Sequence, residues 1–128
     1  MPLWDTEGAS GDTTTPQAQA AAYITRKYLT DLAYGSGRYD WYTWGNATAF
    51  CVGTAQTDPI ALTEAGQAYR YLFDWLLGAS LTQAVIDPSG TWQIWLTLAT
   101  GDPAIIVWNP AQNVAFTIPC LLYTSRCV

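Results

Sequence analysis

The amino-acid sequence predicts an α/β protein, and three observations carry that expectation. Through residues 1–79, two short β-prone runs alternate with two segments in which apolar residues recur at helical spacing. From Asp87 the recurrence changes from helical to alternating. The alternating runs are separated by Thr100-Gly101-Asp102-Pro103 and Asn109-Pro110-Ala111-Gln112-Asn113, which have turn chemistry.

The first element is a short strand over 2–6. It delivers Glu7 and Gly8 to a small-residue loop, Ala9-Ser10-Gly11-Asp12. A helix over 16–34 follows, with Thr15 as its cap and Pro16 at the first helical position. Ala18, Ala21, Ala22, Leu29, Leu32 and Ala33 form its apolar face over about five turns, and Gly35-Ser36-Gly37 stops it. Arg38-Tyr39-Asp40-Trp41-Tyr42-Thr43-Trp44 is an aromatic run without a breaker, so a second strand is expected there, ending at Gly45-Asn46. A long loop over 46–62 leads to Thr63, the cap of a second helix over 64–77. There Ala65, Ala68, Tyr69, Leu72, Phe73, Leu76 and Leu77 form the buried face, Glu64 suits the helix dipole and Gly78 terminates it. Three β runs are then expected, over 92–98, 104–108 and 114–118, as an antiparallel meander, with residues 80–87 as the boundary before it.

Composition narrows the function. The chain has 128 residues, half of them hydrophobic, and only 12% charged, about half the usual share. So little charge implies that part of the surface is made to be covered. The net charge is -5 with scattered basic residues, which argues against nucleic acid and anionic membranes as partners. The absence of His excludes a histidine-dependent triad and a typical catalytic zinc site within the chain. Cys51, Cys120 and Cys127 have no close CxxC spacing; metal binding is not expected, and one disulfide with a spare thiol remains open. No cofactor is expected. The first residues carry neither a basic leader region nor a long apolar run, so neither a signal peptide nor a membrane-spanning helix is expected in this sequence.

The order of motifs carries a resemblance. The run Leu3-Trp4-Asp5-Thr6-Glu7-Gly8, the Gln-Ala-rich helix, Tyr39-Asp40-Trp41-Tyr42-Thr43-Trp44-Gly45-Asn46, Leu62-Thr63-Glu64-Ala65-Gly66-Gln67-Ala68-Tyr69, and Ala104-Ile105-Ile106-Val107-Trp108-Asn109 closing at Phe116-Thr117-Ile118-Pro119 succeed one another. Together they resemble the carboxyl-terminal third of a bacterial clan A glycoside hydrolase, of the family thirty-nine or family five type. The resemblance covers residues 1 to 119. It implies the last two βα units of a (β/α)8 TIM barrel over 1–79, followed by an incomplete antiparallel β domain over 80–119. Residues 120–128 resemble nothing in that family and read as a non-native tail.

The resemblance also implies roles. Glu7 matches the nucleophile at the end of the seventh barrel strand, which attacks the anomeric carbon and forms a glycosyl-enzyme intermediate. Trp44 matches the aromatic floor of the sugar subsite, with Tyr42 and Asn46 on the same rim. The plainer reading of Glu7 is a solvated acid at a strand end. Trp41 and Tyr39 alternate with Tyr42 and Trp44, so one of the two sets must face helices. The departure from the family is the second carboxyl group, which a retaining glycosidase needs about 5 Å from the nucleophile. Neither Asp5 nor Glu64 occupies its expected position.

Three expectations follow. The first is a fragment of a secreted bacterial retaining O-glycosyl hydrolase, acting on β-linked oligosaccharide or polysaccharide and inactive alone. The second is a non-catalytic carbohydrate-binding module, and the third a structural piece that self-associates through exposed sheet edges.

Overall fold

The computed structural model describes residues 3–8, 13–41, 45, 49–53 and 61–118. In chain order these form β1 (Leu3–Gly8), α1 (Gln17–Ala33), β2 (Ser36–Trp41), α2 (Glu64–Leu76), β3 (Ser80–Ile86), β4 (Trp92–Thr97) and β5 (Pro103–Trp108). The chain divides into two compact units, Met1–Asp74 and Trp75–Val128, with the boundary near the end of α2.

In the first unit, α1 forms because its run of Ala, Gln, Leu and Lys favours the helix, and it buries Ala20, Ile24 and Leu29. Its start differs from the expectation. Pro16, not Thr15, is the flanking residue, and no side chain caps the helix; the Pro16 carbonyl accepts from the Gln19 and Ala20 amides at 2.9 and 3.1 Å. At the other end Gly35 takes φ 78°, a conformation open to glycine at little cost, and turns the chain into β2.

β1 and β2 pair in parallel, with Leu3 opposite Ser36, Trp4 opposite Arg38, Asp5 opposite Tyr39 and Gly8 opposite Trp41. From Asp5 to Gly8 β1 advances three residues while β2 advances two, so β1 carries one extra residue in the stretch that contains Glu7. Residues 51–53 are clasped to the start of α2. The Thr63 hydroxyl donates to the Cys51 carbonyl at 2.7 Å and accepts from the Gly66 amide at 2.9 Å, while the Thr63 amide donates to the Val52 carbonyl at 3.2 Å. Thr63 therefore caps α2 as its sequence position implies, and Glu64 stands in the first turn. Ala20, Ala49, Phe50 and Ala65 form the buried core here, with Trp41 packed against them.

The second unit is the antiparallel sheet β3-β4-β5. Its pairings align Ile86-Trp92-Trp108, Ala84-Ile94-Ile106 and Leu81-Leu96-Ala104 as rows on one apolar face. An extra residue between Leu81 and Gln83 is what keeps Leu81 in that face. Trp92 and Trp108 stack with centroids 5.2 Å apart and planes 10° from parallel. Beside them, the Asp87 carboxylate accepts from the Ser89 hydroxyl and amide and from the Thr91 amide at 2.6 to 3.1 Å. These bonds, the Ser89 hydroxyl first, hold the Asp87 carboxyl below its usual range. Asn109 ties this turn to the exit of β5, donating to the Ser89 carbonyl at 3.0 Å and Thr91 Oγ1 at 3.2 Å while accepting from the Ala111 and Gln112 amides.

The barrel expectation is corrected. The parallel sheet has two strands, β1 and β2, and the remaining three strands form a separate antiparallel sheet. A barrel strand needs a hydrogen-bonded neighbour on each side, and two parallel strands provide one apiece. The described residues make a small α/β protein without TIM barrel units. The meander is shifted as well. Its first strand is Ser80–Ile86, read above as a boundary, whereas residues 114–118, read as a strand, pair with nothing among the described residues. The tail expectation for 120–128, with Cys120 and Cys127, lies outside the described residues; Cys51 is buried as a free thiol.

Candidate functional site

A parallel β-α-β arrangement puts the carboxyl ends of both strands at one end of the sheet, the end at which open α/β sheets bind ligands. Here the register places Gly8 opposite Trp41 at that end. The Glu7 backbone is within β1, one residue before Gly8, rather than just past a strand ending at Thr6. The Glu7 side chain and residues Tyr42, Trp44 and Asn46 lie outside the described residues. Of the two strands, the described backbone at this end is that of Glu7 and Gly8 in β1 and of Trp41 in β2.

Around that end the described side chains fall into two groups. The first is aromatic. Tyr28 meets Tyr39 and Tyr69 edge-on at 4.4 and 5.5 Å and stacks on Trp41 at 6.3 Å, and Tyr23 bridges Trp41 at 6.1 Å to Phe50 at 5.2 Å. The Trp41 indole donates to the Phe50 carbonyl at 3.0 Å. Tyr39 and Trp41 are therefore the set that packs against α1. The Tyr39 hydroxyl and Gln17 Oε1 are buried without a hydrogen-bond partner among the described residues.

The second group is charged. Lys27 Nζ donates to Asp5 Oδ2 at 2.8 Å and to both Asp31 oxygens at 2.8 and 2.9 Å, and lies 4.8 Å from the Tyr39 ring centre. This joins β1, α1 and β2 through one ammonium. Asp40 is paired with Arg38 at 2.8 Å. The Lys27-Asp31 spacing is legible in the sequence as an i,i+4 pair, whereas the Asp5 contact arises only from the parallel strand pairing. Asp5 thus has a structural partner. Among the described residues, no group of three His, Cys, Asp or Glu converges as a metal site would require.

The charged group makes alkaline stability a test of this packing. Burial draws the Lys27 pKa down, but hydrogen bonds and charge from Asp31 and Asp5 outweigh it, leaving it above the ordinary 10.5. A folded-state pKa raised in this way gives stability that is complete below the unfolded value and is lost as pH rises through the folded one. Tyr28 and Tyr39, pushed up mainly by burial, lose stability in the same alkaline direction. Urea denaturation should show Lys27→Met destabilised by about 1 kcal/mol at neutral pH, the exposed share of the pair being screened. The gap between variant and parent should close above pH 10.5; a gap constant through that range would show that Lys27 contributes by packing alone.

No protein-family model, curated protein or solved structure matches the chain.

Proposed function

We propose that the chain supplies the nucleophile of a retaining O-glycosyl hydrolase acting on β-linked carbohydrate. Glu7 is the attacking carboxylate, and Trp44, Tyr42 and Asn46 form the sugar-facing rim. The observation that supports this reading is the parallel register of Gly8 opposite Trp41, which sets the Glu7 backbone beside the carboxyl end of β2, the strand that precedes Tyr42, Trp44 and Asn46 in the sequence. A strand holds a nucleophile more rigidly than a loop would. A flat indole suits the apolar face of a pyranose, and an amide suits its hydroxyls.

In the proposed reaction Glu7 displaces the aglycone from the anomeric carbon, forming an ester while the leaving oxygen takes a proton from a second carboxyl group. Asp5 pairs with Lys27 and Asp40 with Arg38, and the resemblance puts the acid/base on a segment of the family that this sequence does not match, so we assign it to a carboxylate outside this sequence. The chain alone should turn over no ordinary glycoside, since loss of general acid catalysis costs about two to four orders of magnitude.

A leaving group that needs no protonation isolates the nucleophile. The whole chain is incubated with a fluorinated dinitrophenyl β-glycoside and digested for mass spectrometry. One glycosyl label is expected, on Glu7, and none in Glu7→Gln. Label on another acid removes the role. Saturable oligosaccharide binding without any label would assign the chain to non-catalytic carbohydrate binding, and absence of both label and binding would remove the carbohydrate reading.

A further inference from the structure

We propose that the outer edge of β3 is a self-association surface whose partner is a second copy of this chain, added antiparallel across a twofold axis normal to the sheet. β3 is an edge strand, hydrogen-bonded to β4 alone among the described residues. All of Ser80–Ile86 except Val85 is exposed, and the strand has no charged residue, Pro or Gly. Natural edges are normally blunted by charge or proline, or covered. This one is not. The apolar rows of the sheet run outward from Trp92, buried Ile94 and buried Leu96 and end at β3 in Ile86, Ala84 and Leu81, all exposed. An added strand would extend the inner two of those rows and cover Ala84 and Ile86.

Charge selects the occupant. The chain carries -5 overall, so most of its surface resists a second copy. From Trp75 to Val128 the charged residues are Asp87, Asp102 and Arg126 alone. A neutral strand in the nearly neutral unit is where two acidic copies can meet with least repulsion. A basic partner would find no carboxylate on β3, whereas an identical strand finds its own β-branched and apolar side chains.

The register follows from the same residues. A twofold axis normal to the sheet pairs residues that point to the same face, and the extra residue near Thr82 interrupts that alternation. Placing Ala84 on the axis sets Gln83 against Val85 of the second copy. It also limits the paired run to 82–86, which keeps Asp87 out of the interface. Ala84 then faces its own copy.

Sedimentation of the whole chain over a range of concentrations tests this. A monomer-dimer equilibrium is expected, with β3 amides slowing in hydrogen exchange as the dimer fills. Ala84→Lys and Ala84→Glu each place like charges opposite each other and should weaken the dimer by about tenfold or more. Mixing the two variants should restore a heterodimer, which a folding defect in either could not produce. A parent chain that stays monomeric, or variants that still dimerise, overturn the proposal; a mixture that stays monomeric overturns the twofold centred on Ala84.

Discussion

Gly66→Ala should destabilise the first unit, although alanine is the better helix former by about 1 kcal/mol. Gly66 is buried in α2, and a Cβ there would overlap the Val52 carbonyl oxygen while coming within 2.8 Å of the Val52 carbonyl carbon and 3.2 Å of Leu62 Cδ2. The obstacle is backbone. It cannot rotate aside as a side chain would, and the same carbonyl accepts the Thr63 amide next to the hydroxyl cap that starts α2. Relief therefore means moving 51–53 or the helix start, and either breaks the clasp. Overpacking of this kind costs about 1–3 kcal/mol net. The measurement is urea denaturation followed by far-ultraviolet circular dichroism, with Gln67→Ala, an exposed neighbour in the same helix, as the control. A variant as stable as the parent would mean that the close approach of α2 to Val52 is absent in solution.

Ile94→Ala should do comparable or greater damage in the second unit. Ile94 is fully buried in the central strand, between Ala84 on one side and Ile106 on the other. Truncation removes three carbons and leaves a cavity flanked by strands that cannot collapse without losing register, which costs about 2–5 kcal/mol. A unit of this size holds on the order of 3–8 kcal/mol in total, so a substantial unfolded population is expected. The stacked pair Trp92-Trp108 supplies a local readout, because indoles held 5.2 Å apart in a fixed environment contribute to near-ultraviolet circular dichroism. That signal should be lost at lower urea in Ile94→Ala than in the parent. Retention of the parent's midpoint would contradict the burial of Ile94.

Local signals read well where one element decides its own fate. The extent of α1, the Thr63 start of α2 and the alternation of β4 are each set by neighbouring residues, and their bounds fall within a few residues of expectation, although α1 buries Ala20, Ile24 and Leu29 while Ala18 and Ala22 of the expected face are exposed. β3 was hidden because its extra residue between Leu81 and Gln83 breaks the period of two on which strand reading rests. Residues 114–118 alternate as a strand does, yet alternation describes a surface fit for a sheet and says nothing about whether a neighbour is present. The barrel expectation failed for the same reason. Motif order is a property of the line of the chain, and sheet closure a property of pairs distant along it. Glu7 was legible as an acid near a strand end, while the Asp5-Lys27 pair depends on a parallel register that no short window contains.

Because β1 and β2 run parallel, no tight turn can join them, and their first hydrogen bond closes a loop that contains the whole of α1. In β3-β4-β5 every strand meets its sequence neighbour across a short turn, and hairpins of that kind form in about 1–10 μs. Non-local pairing is the slower event. On a ribosome, where the amino-terminal unit emerges first, the timing of synthesis and the timing of folding therefore run in opposite senses: the part of the chain made earliest is the part whose sheet closes last.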